Sequence, residues 1–236
     1  SIGLGMGVDK TVADNPATAD KATAVIDLLH GQIDAVYGAS FNEGITRRAV
    51  VNVPSGSTIK LNNIFGGAYG LSNERPCDAY ETYVNWSSNK AEVKNAIYGG
   101  NNNARRTFYG FVNINDTVYS DKEKGYQATV YGAVYGENTW SQYTEVNLNE
   151  GAVVYEAYGG GNAGRVLNKA SVNAWKETNG SLYTSLPEGY TDLGLETNLV
   201  TANSLGGKTH TNVNIRRGAY VGGYCYGGGL GETATV

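Results

Sequence analysis

The sequence predicts an all-β protein that winds as a right-handed parallel β-helix, a solenoid with coils of about 28 residues, loop insertions and one short N-terminal helix. Two recurring motifs and their alternation predict this fold. The glycine motif is a small or apolar residue, an aromatic residue and one or more glycines, and it occurs at 36–38, 64–67, 97–100, 130–132, 157–161 and 225–229. The asparagine motif is an Asn between two apolar residues, and it is centred on Asn52, Asn85, Asn113, Asn147, Asn173 and Asn214.

The two motifs alternate at a regular spacing, which identifies them as parts of one repeat. The distance along the chain is 14 residues from Gly38 to Asn52 and 14 from Asn52 to Gly66. It is again 14 from Gly99 to Asn113. A unit this short cannot bury its apolar face alone, so its copies are expected to stack through parallel strands. Parallel crossovers are right-handed by default.

An antiparallel β-sandwich is the alternative fold, because its strands also recur at short intervals. A sandwich gives no reason for the same residues to return at each interval, whereas stacked coils do. The repeat therefore favours the β-helix over the sandwich.

The first element along the chain is a predicted helix over residues 16–30. Ala22, Val25, Ile26 and Leu29 follow the spacing of one apolar helix face. This helix either caps the solenoid or is a loop insertion that packs on one flank.

Each asparagine motif is predicted to be a short strand, because apolar and polar residues alternate around it. This alternation directs the residues flanking the Asn into the core, namely Val51, Val53, Val112, Ile114, Val146, Leu148, Val213 and Ile215. A second strand precedes each glycine motif. Insertions at 68–82, 115–128 and 175–211 lengthen single units, and in solenoids such insertions project from one face.

Residues 1–236 are predicted to form a single domain, because the repeat covers nearly the whole chain. The final glycine motif shows no sign of the atypical capping unit that normally closes a repeat array. We therefore expect the chain to be a fragment of a longer array.

Composition argues against several classes of partner. Charged residues make up 17% of the chain and the formal net charge is −4, which is not the footprint of a nucleic-acid-binding protein. We find no run of 18 apolar residues, the length expected of a membrane span. The two cysteines, Cys77 and Cys225, do not form a disulfide framework or a metal site. We predict no cofactor and no metal.

Two outward columns of side chains are the candidate functional features. If the apolar residue of each glycine motif points inward, the aromatic residue beside it points outward and forms an aromatic column. The Asn residues Asn52, Asn85, Asn113, Asn147, Asn173 and Asn214 form a second column, which we interpret as a structural ladder of hydrogen-bonded amides. Both columns either stabilise the solenoid or bind a ligand. The predicted ligand residues are Trp140, Trp175, Tyr98, Tyr131 and Tyr158, because flat aromatic rings suit sugars and protein partners.

Catalysis has little support in the sequence. The two histidines, His30 and His210, are far apart along the chain. The repeated outward position is an amide, which cannot act as a general acid or base. We therefore predict a protein that is not an enzyme.

The recurring Y-G-G and V-N-[IVL] motifs over residues 31–236 resemble the repeats of adhesin-like β-helix proteins on the surface of Bacteroides-type gut bacteria, whose fold is similar to the pectin-lyase-like right-handed β-helix. The resemblance implies an extracellular or cell-surface module that binds a glycan or a host or bacterial surface protein. The alternatives are a carbohydrate-active β-helix enzyme (a polysaccharide lyase or glycoside hydrolase), active or inactive, and a phage or fibre stalk. The chain lacks the clustered acidic calcium site of the lyase members, so no functional residue is carried over from them.

Overall fold

The computed structural model describes residues 23–42, 44–71, 77–104, 106–137, 139–166 and 210–231. These residues are all-β, and no helix occurs among them. The strands are β1 (Thr23–Asp27), β2 (Gln32–Tyr37), β3 (Gly44–Val53), β4 (Lys60–Phe65), β5 (Cys77–Trp86), β6 (Glu92–Tyr98), β7 (Arg106–Ile114), β8 (Tyr119–Asp121), β9 (Tyr126–Gln127), β10 (Thr129–Tyr131), β11 (Trp140–Leu148), β12 (Val153–Val154), β13 (Ala157–Tyr158), β14 (Arg165–Val166), β15 (His210–Ile215), β16 (Tyr220–Val221) and β17 (Cys225–Tyr226).

Two parallel sheets receive most of the strands in alternation, and β12 and β16 form a separate two-stranded parallel sheet. Sheet A has the order β1-β3-β5-β7-β11, and both β14 and β15 pair with β11. Sheet B has the order β2-β4-β6-β10-β13-β17, and the antiparallel pair β8–β9 lies beside β6. Because the chain returns to each sheet one strand further along, the described part is consistent with a parallel β-helix. The prediction of an all-β fold with parallel strands is confirmed.

The strand register places equivalent motif residues side by side. Asn52 is paired with Asn85, Asn85 with Asn113, and Asn113 with Asn147. Asn147 is paired directly with Asn214. The fifth asparagine motif, at Asn173, lies outside the described residues.

The largest core cluster lies between the two sheets and contains the predicted apolar column. The side chains of Val51, Val53, Val112, Ile114, Val146 and Leu148 are fully buried. Val213 packs against this cluster while partly buried, and Ile215 is 52% exposed at the last described strand of sheet A. The alternation around each Asn therefore predicted the inward face correctly up to that strand.

The helix predicted over 16–30 is wrong wherever the structure describes it. Thr23–Asp27 is strand β1, paired along its length with β3. Ala24, Ile26 and Leu28 also satisfy a period of two, and Ile26 and Leu28 pack into the core in that pattern. Short apolar runs fit both periods, and here pairing with a neighbouring strand decides. Residues 16–22 lie outside the described part.

The structure assigns parts of two predicted insertions, 68–82 and 175–211, to strands of sheet A. Of 68–82, residues 77–82 form the first half of β5, because Cys77 and Ala79 join a small inner cluster with Ala49 and Ala104. Residues 115–128 contain the β8–β9 hairpin. Of 175–211, residues 210–211 begin β15, and the rest lies outside the described residues.

Candidate binding surface

Side chains at alternate strand positions form two parallel rows on the outward face of sheet A. On each strand the residue between the two rows points into the core. The amide row consists of Asp27, Asn52, Asn85, Asn113, Asn147 and Asn214, which are in register across the sheet. The middle row lies two residues earlier on each strand and consists of Val25, Val50, Tyr83, Phe111, Glu145 and Asn212. Together these rows define the candidate binding surface.

The amide row is a continuous chain of hydrogen bonds. Each Nδ2 donates to the side-chain oxygen one strand nearer to β1, at 2.8–2.9 Å, in the pairs Asn52 to Asp27, Asn85 to Asn52, Asn113 to Asn85, Asn147 to Asn113 and Asn214 to Asn147. Each amide between the two ends therefore both donates and accepts within the row. The row begins with a carboxylate rather than an amide, because β1 contributes Asp27.

A threonine three residues before the Asn fixes sheet A to the glycine motif. The Thr144 hydroxyl donates to the carbonyl oxygen of Gly159 at 2.5 Å. Thr82 donates in the same way to the carbonyl oxygen of Gly99. These bonds lie inside the structure and hold the strand that carries the amide row at a fixed position over sheet B.

The middle row contains an aromatic pair that the sequence analysis missed. The rings of Tyr83 and Phe111 stack with centroids 4.8 Å apart and planes 10° from parallel. The ring of Tyr143, on the neighbouring strand β11, is tilted by 49° against the ring of Phe111, and their centroids are 5.9 Å apart. Tyr83 and Phe111 are both partly exposed. The signal for this pair was the position two residues before each Asn, which the alternation also turns outward.

Hydrogen bonds link acidic, amide and phenol groups beside the aromatic pair, and the Tyr83 hydroxyl itself lies 3.5 Å from Glu81 Oε2. The Tyr143 hydroxyl donates to Glu145 Oε2 at 2.7 Å, and Asn147 Nδ2 donates to Glu145 Oε1 at 2.8 Å. Asn212 Nδ2 donates to the Tyr143 oxygen at 2.9 Å. On β3 and β5, Arg48 Nε bonds to Glu81 Oε2 at 2.9 Å. The surface therefore offers amide and carboxylate groups and the Tyr83 phenol beside aromatic rings, whereas Tyr143 is only 4% exposed and positions Glu145.

Both phenols of this surface remain protonated well above neutral pH. Burial raises the pKa of Tyr83 to about 12, with the nearby Glu81 carboxylate acting in the same direction. Burial also raises the pKa of Tyr143 to about 12, and its hydrogen bond to Glu145 adds to the effect. Neutral phenols can donate hydrogen bonds as well as accept them.

The aromatic column of sheet B is a stack of rings whose inner members are buried, while Tyr226 at one end is 44% exposed. Neighbouring ring centroids lie 4.8–5.0 Å apart in the order Tyr37, Phe65, Tyr98, Tyr131, Tyr158 and Tyr226. Tyr98 and Tyr131 are 5% exposed and Tyr158 is 4% exposed. Tyr135 contacts Tyr98 edge-on at 5.5 Å and covers part of the column. The burial of these three tyrosines does not support the ligand-binding role that the sequence suggested for them.

Of the two tryptophans proposed as ligand residues, the structure describes only Trp140. Trp140 is the first residue of β11, is 3% exposed and contacts Phe108 edge-on at 5.6 Å. This burial likewise does not support a contact with ligand. Trp175 lies outside the described residues.

A charged groove on sheet B is a second candidate site. It has a volume of about 650 Å³ and lies beside the β8–β9 hairpin. Two of its acidic groups are paired: Glu92 with Lys60 at 2.7 Å, and Asp121 with Lys124, which lies outside the lining, at 2.7 Å. The Lys124 ammonium lowers the pKa of Asp121, as expected for such a pair. Since the residues that line the groove include no aromatic ring, the groove is a weaker candidate than the sheet A surface.

Comparisons of the chain with protein-family models, with curated proteins and with solved structures found no match. The described segments also hold no group of three or more His, Cys, Asp or Glu side chains arranged to bind a metal ion. Nor do they contain a helix of the length and apolar character required to cross a membrane.

Proposed function

We propose that the chain is a right-handed parallel β-helix that serves as an adhesin-like, non-enzymatic module of a secreted or cell-surface protein, and that it binds glycans through the outward face of sheet A. The observation that carries this proposal is the amide row beside the partly exposed Tyr83–Phe111 pair. The alternation of strands between two parallel sheets supports the β-helix, and the preference of parallel crossovers supports its hand.

The chemistry of this surface fits a sugar. A pyranose has hydroxyl groups around its rim, which bond to amides, carboxylates and phenols, and C–H faces that pack on aromatic rings. The surface combines both kinds of group on a rigid sheet, which positions them without the cost of ordering a loop. An extracellular or cell-surface location is part of the same proposal, since that is where a glycan-binding module meets its ligands.

The proposal assigns no catalytic role to Glu81 or Glu145. Glu81 is 1% exposed and is bound by Arg48, and Glu145 accepts hydrogen bonds from Tyr143 and Asn147. A general acid or base must reach a bound substrate with a proton to give or accept. Turnover of polysaccharides that Glu145→Gln abolished would instead identify a carbohydrate-active enzyme.

The test is a glycan array together with a panel of host and bacterial surface proteins. We expect the wild type to bind glycans, and the double variant Tyr83→Ala/Phe111→Ala to lose that binding while it still unfolds cooperatively. The control is Lys94→Ala, which changes the groove on sheet B and is expected to leave binding unchanged. A wild type that bound neither glycans nor proteins would indicate a structural stalk.

A further inference from the structure

The side chains of the middle row of sheet A become much larger between β3 and β5, and we call this change in size the step. On β1 and β3 the row consists of the valines Val25 and Val50, and on β5 and β7 it consists of the rings of Tyr83 and Phe111. Val25 is 57% exposed and Val50 is partly exposed. The two short valine side chains, which we call the floor, therefore lie beside the longer ring of Tyr83, which we call the wall.

One face of the wall is available at this step. Tyr83 stacks on Phe111 with one face only, and its opposite face is turned toward β3, where its register partner is Val50. A valine side chain is much shorter than a tyrosine ring and covers only the part of the ring nearest the backbone. The nearby Arg48 points to Glu81, which is bonded to its Nε at 2.9 Å. Tyr83 is partly exposed as a whole, so the ring face turned toward Val50 is the position at which a ligand can stack.

The polar edge of the step is the beginning of the amide row. Asn52 donates to Asp27 Oδ1 and accepts from Asn85 within the row. Asp27 is exposed, and within the described part of the chain its other oxygen, Oδ2, accepts no side-chain hydrogen bond. A carboxylate oxygen in this position can accept a hydrogen bond from a hydroxyl group.

We propose that this step, formed by the Tyr83 face, the Val50 and Val25 floor and the Asp27 edge, is a subsite for one neutral pyranose ring. The inference rests on the proposed function and names the ligand class of the same surface. The ring packs one C–H face on Tyr83 and donates a hydroxyl to Asp27. The floor spans two strands, roughly 10 Å at the usual spacing between neighbouring strands, which accommodates a single ring. A sugar acid would place its carboxylate near Asp27, so acidic sugars are disfavoured.

The experiment measures binding of neutral and acidic glycans by the wild type and three variants, with thermal unfolding as the control for folding. Tyr83→Ala removes the wall and is expected to weaken binding by about tenfold or more, as is typical of anchoring aromatic residues. Val50→Phe fills the step and extends the ring stack toward β3. It is expected to block binding without loss of stability. Lys94→Ala is the control, because Lys94 is exposed on sheet B outside this surface, and it is expected to leave affinity unchanged.

The outcomes separate the subsite from the function. If the wild type binds glycans and Val50→Phe binds them equally well, the subsite is wrong although the proposed function stands. Lys94→Ala as damaging as Tyr83→Ala would also overturn the subsite, since it would show that the loss of binding is not specific to the step. A preference for acidic over neutral glycans would contradict the role of Asp27. No glycan binding by the wild type would overturn the proposed function itself.

Discussion

Ile114 and Ile215 occupy the same register column of sheet A but differ in burial. Ile114 is fully buried, whereas Ile215 is 52% exposed. We expect Ile114→Ala to lower the free energy of unfolding by about 2–5 kcal/mol, the range for truncating a buried isoleucine. Ile215→Ala is the matched control and is expected to cost less than about 1 kcal/mol, because much of its side chain is already in water. Chemical denaturation measures both, and equal losses would show that Ile215 is covered.

Alkaline pH is expected to weaken the fold through its tyrosines. Burial raises the pKa of Tyr98 and Tyr158 to about 12 from an ordinary value of 10.0, as it does for Tyr83 and Tyr143. Because the folded state then holds these protons more tightly than the unfolded state, the contribution is complete below pH 10 and is lost as the pH rises toward 12. Denaturation across this interval, followed with tyrosinate absorbance, measures the loss. Tyr98→Phe removes one titrating group and should make the decline shallower. An unchanged decline would exclude Tyr98 from the effect.

The sequence predicted which positions alternate between apolar and polar residues better than it predicted which side chains are buried and which are available to a ligand. The amide row was recognised because Asn recurs between apolar residues at each unit, a pattern visible in the sequence alone. The burial of Tyr98 could not be recognised, because the residues that cover it, such as Tyr135, come from a neighbouring turn. Tyr83 was missed for the opposite reason: only pairing with Val50 on one side and Phe111 on the other makes its position distinctive.

Among the elements, the glycine motif controls how closely two coils approach. A Cβ added at Gly99 would overlap the carbonyl oxygen of Gly132, and the same overlap recurs at other glycines of this column. Gly227 is the last described member of the column and has open space at this position. We expect Gly99→Ala to destabilise the protein by about 1–3 kcal/mol or more, because the backbone must shift. Gly227→Ala is the control and is expected to have little effect. Thermal unfolding compares the two, and equal stability would mean that the coils can separate without cost.

Strand boundaries were less predictable than strand identity. The asparagine motif located the second half of each strand in sheet A, but the first half of β5 was taken for an insertion. That half is a strand because Ala79 packs inward against small residues of neighbouring units, a tertiary effect with no local signature. The same competition turned Thr23–Asp27 from a predicted helix into β1.

At the scale of the whole molecule, the side-chain ladders have a direction. Every amide of the amide row donates toward β1, and on sheet B Asn62 likewise donates to Asp34 at 2.5 Å. The ladder of each sheet begins at an aspartate on the first described strand, Asp27 on β1 and Asp34 on β2. At the opposite end the exposed Asn214 donates to Asn147, and its own Oδ1 accepts no hydrogen bond within the described residues. Both ends of the amide row thus present acceptors.

This polarity opposes head-to-tail stacking of two copies. A copy that continued the amide row would set Asp27 against Asn214 of its neighbour, an acceptor against an acceptor, and unpaired polar groups in such a contact cost about 1–3 kcal/mol each. The variant Asp27→Asn/Asp34→Asn supplies donors and removes two negative charges from the contact. We therefore expect it to self-associate at least about tenfold more strongly than the wild type. Sedimentation velocity over a range of concentrations measures this change. The control Glu123→Gln/Glu137→Gln removes the same charge from exposed positions outside both ladders. If the control associated as strongly as the ladder variant, net charge rather than ladder polarity would be responsible.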